Sequence, residues 1–106
     1  LLPVMCLAGS QMITVLESIG LKAMPESFAD RTYEPDGTLR NRYYSDALIK
    51  SPQIASKQAY NIFNNKRIIA HEGSEFSIDS KTICIHSDTE NALKIAKAVK
   101  QKLIRS

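Results

Sequence analysis

The hydrophobic positions of this chain change period several times, which predicts strands that alternate with helices. Residues 1–8 form a continuous apolar run, typical of a strand buried on both faces of a parallel sheet. Gly9-Ser10 then begins a helix with an apolar stripe at i, i+3, i+4 and i+7, formed by Met12, Val15, Leu16 and Ile19. Gly20 is the expected helix stop, and residues 21–28 predict a second strand. We expect the crossover of this βαβ unit to be right-handed.

The middle of the chain predicts a long irregular segment and then a helix. Residues 29–50 lack a periodic apolar pattern and contain the turn Pro35-Asp36-Gly37. The helix is expected to have Ser51 as its N-cap and Pro52 at its first position. Its inner stripe and its end are formed by Ala55, Ala59, Ile62, Phe63 and then Asn64-Asn65.

The last third of the chain predicts a hairpin, a strand and a final helix. Residues 67–70 and 75–78 are the expected hairpin strands, and residues 81–85 are the expected last strand. The sequence Ser87-Asp88-Thr89-Glu90 matches a capping box at the start of a helix. The apolar face of this helix is formed by Ala92, Ile95, Ala96, Val99 and Leu103. The alternating elements predict an α/β layer architecture.

Composition and charge narrow the possible classes of protein. The chain has 106 residues, of which 43% are hydrophobic and 24% charged, which excludes a disordered chain or a collagen. It has no apolar run of about 18 residues, so we expect no membrane-spanning helix. The two cysteines, Cys6 and Cys84, lie in apolar segments and suggest buried thiols in a reducing compartment. No targeting segment is visible, which makes the cytoplasm the expected location.

The net charge of +3 does not indicate nucleic-acid binding. The basic excess lies in residues 91–106, which carry no acidic side chain. Cations near the C-terminal end of a last helix are favoured by the helix dipole. No aromatic stacking pattern or arginine stripe accompanies these lysines, so we expect no nucleic-acid partner.

Two segments carry side chains suited to chemistry, each just beyond a predicted strand. His86 ends the last strand and Asp88 follows, where ligands bind in parallel α/β folds. An imidazole there can act as a general base or a metal ligand, although an ordinary loop histidine fits the pattern equally well. Asp30 is a second candidate base or metal ligand, and Arg31 can clamp a carboxylate or phosphate. The Asp30-Arg31 pair can also be a structural ion pair that anchors the loop.

Weaker signals come from other residues of the same region. Arg40 and Arg42 are candidate anion clamps, although exposed loop arginines are usually solvated. Ser10 can present a helix N-terminus to an anion, but an ordinary N-cap explains it as well. Neither a zinc-type cysteine/histidine spacing nor a Walker-type phosphate loop is present.

In order and spacing, several motifs of the chain resemble the C-terminal part of the LamB/YcsF family. They are Leu7-Ala8-Gly9-Ser10, Phe28-Ala29-Asp30-Arg31-Thr32-Tyr33, Asp36-Gly37-Thr38-Leu39, Arg42, Ala47-Leu48-Ile49 and His86-Ser87-Asp88-Thr89. The resemblance implies an α/β fold that is the C-terminal portion of an irregular TIM-like β/α barrel, similar to the glycoside hydrolase/deacetylase barrels. It also implies the A subunit of an ATP-dependent 5-oxoprolinase, which opens 5-oxo-L-proline to L-glutamate together with its partners, the B and C subunits.

The resemblance assigns expected roles to individual residues. His86, Asp88 and Asp30 would be catalytic, in proton transfer, water activation or the holding of a possible divalent metal. Arg31 or Arg42 would hold the substrate carboxylate, and Ser10 is a further substrate-binding candidate. ATP would be used together with the partner subunits. Two positions depart from the family, because Ser87 and Asp46 stand where it usually has glycine.

A complete TIM-type barrel needs roughly 250 residues. We therefore interpret residues 1–106 as one partial domain of such a barrel, incomplete as an enzyme and inactive alone. Two alternatives remain open at this point. The chain can be a truncated or split fragment that acts as an interaction module, or a small self-contained domain that binds an anionic metabolite near Ser10, Arg31 and His86.

Overall fold

A computed structural model describes residues 2–86 and 91–104 of the chain. Its strands are β1 (Val4–Leu7), β2 (Ala23–Phe28), β3 (Arg67–Ile69), β4 (Glu75–Ser77) and β5 (Thr82–Cys84). Its helices are α1 (Gln11–Ser18), α2 (Pro52–Tyr60), which continues as a π-helical segment (Asn61–Asn65), and α3 (Ala92–Ile104). The predicted capping box at residues 87–90 lies outside the described residues.

Three parallel strands form the main sheet, in the order β1-β2-β5. Strands β3 and β4 form a separate antiparallel hairpin, as predicted. The β1-α1-β2 unit confirms the predicted βαβ arrangement. The neighbour of β2 on its other side is β5, which follows it only after the long segment, α2 and the hairpin.

Strand β1 is more exposed than its sequence predicts. Val4 is 39% and Met5 53% exposed, so the prediction of a strand buried on both faces is wrong for this chain. The physical reason is that, among the described residues, β1 is an edge strand that pairs only with β2, so fewer neighbouring side chains cover its faces. The apolar stripe of α1 is also more exposed than the sequence predicts. Within this stripe Leu16 is buried, whereas Met12, Val15 and Ile19 are more than half exposed.

The buried side chains form two clusters. In the first, the fully buried Tyr33 packs with Ala8, Ile62, Ile68 and Ile78, which come from the end of β1, the π-helical segment and the hairpin. The second lies between α2 and α3 and is built on Ala29, Ala55, Ala59, Ile95 and Val99. The two clusters together contain five of the predicted inner helix positions as buried residues, which are Ala55, Ala59, Ile62, Ile95 and Val99. They pack the residues that follow β2 against the rest of the domain.

The start of α2 and the end of α1 have the capping residues that the sequence predicts. The Ser51 hydroxyl accepts a hydrogen bond from the Ile54 N–H, with Pro52 at the first helical position. Gly20 follows α1 with a φ of +84°, a conformation in which glycine has no steric penalty. Among the described residues, none of the helices has the length and apolar character needed to cross a bilayer.

Candidate functional site

Two side chains of opposite chemistry meet where β2 and β5 end. The register pairs Phe28 with Cys84, so Asp30 and His86 each lie two residues beyond their strand. Side chains two residues apart in extended backbone point to the same side. Adjacent parallel strands therefore bring Asp30 and His86 together, as their positions in the sequence predict.

Two hydrogen bonds join Asp30 to His86. The carboxylate Oδ1 lies 3.1 Å from His86 Nδ1, and Oδ2 accepts the His86 backbone N–H at 2.8 Å. Asp30 is completely buried, while the His86 side chain is 20% exposed. An ionised carboxylate only accepts hydrogen bonds, so an ionised Asp30 requires a hydrogen on Nδ1 of His86. In a neutral imidazole held in this way, Nε2 is the basic nitrogen.

An aromatic side chain packs against the imidazole. The Phe28 ring stacks on the His86 ring with centroids 5.4 Å apart and an angle of 21° between planes. The backbone N–H of Phe28 in turn donates to the buried Tyr33 hydroxyl at 3.0 Å. Burial raises the pKa of Tyr33 to about 12, so this phenol stays neutral over the physiological range.

The turn that carries Asp30 is tied to two other segments. The Asp30 carbonyl accepts the Ile49 N–H at 2.8 Å, and the Thr32 N–H donates to the Ala47 carbonyl at 2.9 Å. From α2, Gln58 Nε2 donates to the carbonyl oxygens of Phe28 and Arg31, both at 2.8 Å. Sequence reasoning missed Gln58, since a single polar residue on the inner side of a helix has no distinctive signal.

The predicted anion-binding residues have different environments. Arg31 is only 8% exposed. Its guanidinium Nη2 donates a hydrogen bond to the Arg40 carbonyl, whereas its Nε has no hydrogen-bond partner among the described residues. Burial and then the nearby Arg42 guanidinium lower the pKa of Arg31. Arg42 itself is exposed. Ser10 occupies the N-cap position of α1, but its buried hydroxyl makes no cap bond and has no hydrogen-bond partner in the described part of the chain.

Arg40 is held within the fold and is therefore a poor candidate for an anion clamp. Its guanidinium bonds Asp46 at 2.7 Å and Glu34 at 3.0 Å, and it lies 3.9 Å from the centroid of the Tyr44 ring. The hydrogen bond from Arg40 lowers the pKa of Asp46. Asp46, at a position where the family resemblance predicts glycine, thus has a partner in the same loop.

Cys84 is the last residue of β5 and lies near the carboxylates of Glu26 and Asp30. Burial, and then the charges of Glu26 and Asp30, raise the pKa of its thiol. The sequence predicts a buried thiol, whereas Cys84 is only partly buried. The raised pKa opposes a role as a nucleophile.

The described residues test whether a metal fits beside this pair. Both oxygens of Asp30 already accept hydrogen bonds from His86. Within residues 2–86 and 91–104, no group of three histidine, cysteine or acidic side chains is placed to hold a metal ion. The third predicted donor, Asp88, lies outside the described residues. Among the predicted donors that the structure describes, Asp30 and His86 are brought together here, and the divalent metal stays a prediction.

Comparison with known proteins decides the family. A profile of the LamB/YcsF family matches the chain over residues 1–106. The chain belongs to the LamB/YcsF family. It is 43% identical over 97 residues to the 5-oxoprolinase A subunit of Chloroflexus aurantiacus, an alignment that covers 92% of this chain and 38% of the relative. It is 41% identical over 100 residues to the 5-oxoprolinase A subunit of Tolumonas auensis, which covers 94% of this chain and 40% of that protein.

Similarity to a solved structure confirms the fold of this chain. The lactam utilization protein from Thermus thermophilus superposes with a TM-score of 0.89 and 29% sequence identity, over 98% of this chain and 41% of that one. The predicted α/β class with a parallel sheet, as in part of a LamB/YcsF protein, is therefore confirmed. The chain spans about two-fifths of the length of these LamB/YcsF relatives.

Proposed function

We propose that this chain provides the His86–Asp30 part of the active site of a lactam-opening hydrolase, the A subunit of an ATP-dependent 5-oxoprolinase. The observation that carries the proposal is the buried carboxylate of Asp30, which holds His86 at the carboxyl ends of two parallel strands. Ligands bind at this edge in parallel α/β folds. The names of the relatives, 5-oxoprolinase A subunit and lactam utilization protein, supply the substrate class.

In this proposal Asp30 orients the imidazole and His86 moves the proton. Nε2 of His86 takes a proton from water as the hydroxide adds to the lactam carbonyl carbon. The C–N bond then breaks and the ring nitrogen receives a proton, which leaves the amine and carboxylate of L-glutamate. Asp30 stabilises the imidazolium that forms between these steps.

The remaining predicted residues bind and activate the substrate. Arg31 or Arg42 holds the carboxylate of 5-oxoproline, and Ser10 is a further substrate-binding residue. Asp88 helps to orient His86 or holds an ion. ATP would supply the activation that a resonance-stabilised amide needs, with its terminal phosphate released as inorganic phosphate, and the B and C subunits would take part in its use. No Walker-type phosphate loop occurs in this sequence, which is consistent with nucleotide binding that depends on other chains.

The test is 5-oxoproline-dependent ATP hydrolysis by the chain with purified B and C subunits. One arm also contains the N-terminal three-fifths of the Chloroflexus aurantiacus relative, since this chain matches 38% of that protein. His86→Ala should lower the rate on the order of 10²–10⁴-fold, the usual contribution of a general base. His71→Ala, which removes the other histidine, should leave it unchanged. Unaltered turnover in His86→Ala would contradict the proposal.

A second candidate function is that of an interaction module, which the exposed apolar surface of β1 and α1 favours. Met5, Met12, Val15 and Ile19 are each more than half exposed. A parallel strand with an open edge is suited to pairing with another chain. Val15→Glu should weaken association with the N-terminal part of the relative, as measured by sedimentation, whereas Thr14→Glu on the same helix should not. Equal association of both variants would exclude this surface.

A further inference from the structure

Gln58 lies on α2, outside the residues that the sequence analysis selected. Its Nε2 has two hydrogens, and it lies 2.8 Å from the carbonyl oxygen of Phe28 and 2.8 Å from that of Arg31. These two carbonyl groups flank the two residues in between, Ala29 and Asp30. The carbonyl of Ala29 lies at the limit of the same contact, at 3.5 Å.

The segment bridged by Gln58 determines where the Asp30 carboxylate points. Asp30 reaches across to β5 and contacts both the ring and the backbone N–H of His86. A carboxylate that makes two such bonds tolerates little rotation of its own backbone, because each hydrogen bond weakens steeply as its angle departs from linear. Phe28, at the other end of the segment, carries the ring that stacks on His86.

Few other contacts would replace this bridge. The backbone N–H of Ala29 bonds the Cys84 carbonyl, and the Asp30 carbonyl bonds the Ile49 N–H. Neither contact satisfies the carbonyl oxygens of Phe28 and Arg31. Without a donor at position 58, two part-buried carbonyls lose their partner, and the turn gains freedom at the residues that aim Asp30.

We propose that Gln58 is a positioning residue that sets the imidazole tautomer of His86 by fixing the turn that carries Asp30. This role rests on the proposed use of His86 as a base, because a base needs its proton on Nδ1 and its lone pair on Nε2. Gln58 touches neither ring nor substrate in this role and acts only through Asp30.

The test reads the tautomer directly, from the ¹⁵N chemical shifts of the His86 ring in the intact chain at a pH where the ring is neutral. The wild-type protein should show a protonated Nδ1. Gln58→Met keeps most of the side-chain length but has no donor, and it should shift most of the population to the Nε2–H form. Gln53→Met is the matched control on the same helix, since Gln53 is exposed and its side chain bonds the Ser51 hydroxyl, away from Asp30. It should retain the wild-type shifts.

Gln58→Glu provides a second variant of the same shape, because its carboxylate has no hydrogen to donate near neutral pH. The proposal is overturned if either variant folds and keeps the wild-type tautomer, if Gln53→Met changes it equally, or if both Gln58 variants fail to fold. Asp30→Asn removes the carboxylate itself, so its ¹⁵N shifts are the reference for a His86 ring that has lost its contact with a carboxylate. Absence of 5-oxoproline turnover in any assembly would refute the proposed function alone, since the ring shifts do not depend on it.

Discussion

Asp30 holds His86 by two separate atoms, the ring Nδ1 at 3.1 Å and the backbone N–H at 2.8 Å. The first bond orients the imidazole and the second fixes the end of β5. One buried carboxylate therefore contributes both to the chemistry of the site and to the closure of the sheet at that edge.

Loss of this carboxylate should destabilise the chain as well as release His86. We expect Asp30→Ala to lower the free energy of unfolding by roughly 3 kcal/mol, since it removes two hydrogen bonds to a charged acceptor. Urea denaturation followed by circular dichroism measures the change. Asp79→Asn alters an exposed carboxylate and should have almost no effect. Equal stability of Asp30→Ala and the wild type would show that the pair adds nothing to the fold.

Tyr33 should make the protein sensitive to alkaline pH. Its folded-state pKa is raised from 10.0 to about 12, so the unfolded chain ionises first as the pH rises. Stability from this group is complete below pH 10 and is lost as the pH rises through about 12. At about 1.4 kcal/mol per unit, the loss is on the order of 2–3 kcal/mol.

The variant Tyr33→Phe separates this effect from others. It should be less stable near neutral pH by about 1–3 kcal/mol, because the part-buried Phe28 N–H loses its acceptor. Its stability should then fall less steeply above pH 10 than that of the wild type. Tyr43→Phe, at a residue that is 96% exposed, should keep the wild-type alkaline profile. Chemical denaturation at a series of pH values gives both quantities.

Cys84 should react slowly with alkylating agents for a reason that one substitution can test. The neighbouring Glu26 carboxylate helps to raise the pKa of the thiol. Glu26→Gln should therefore increase the thiolate fraction and accelerate iodoacetamide labelling several-fold at pH 8, as measured by mass spectrometry of the Cys84 peptide. Glu17→Gln, on the exposed side of α1, should not change the rate. A rate unaffected by Glu26→Gln would refute the electrostatic explanation.

Arg40 should stabilise the order of the long loop. Its guanidinium joins Glu34 and Asp46 across the loop, so Arg40→Met should increase hydrogen exchange at residues 32–47. Exchange in α3 should remain as in the wild type. Arg67→Met, which removes a guanidinium from the hairpin, is the control. Unchanged exchange at residues 32–47 in Arg40→Met would mean that backbone pairing alone orders the loop.

Local chemistry in the sequence was sufficient to predict the end of α1, the start of α2 and the placement of Asp30 and His86 at the same edge of the sheet. Ser51-Pro52 and Gly20 act within a single turn of chain, so their effect does not depend on the rest of the fold. Asp30 and His86 each follow a strand, and parallel pairing then brings them to one edge.

Burial and positioning contacts were harder to predict because they depend on distant segments. The apolar run in β1 correctly indicates a strand, but its burial depends on what packs against it, and here its outer edge lacks a partner among the described residues. Gln58 acts on carbonyl groups about thirty residues earlier in the chain. The hydropathy pattern contains no information about such a contact.

The Asp30–His86 contact also joins positions 56 residues apart. Closing a flexible loop of that length costs on the order of 3–4 kcal/mol of chain entropy, which must be offset by packing elsewhere. During synthesis on the ribosome, the carboxylate is made long before the imidazole emerges. The Asp30–His86 pair can therefore form only after the intervening loop, helix and hairpin have been synthesised.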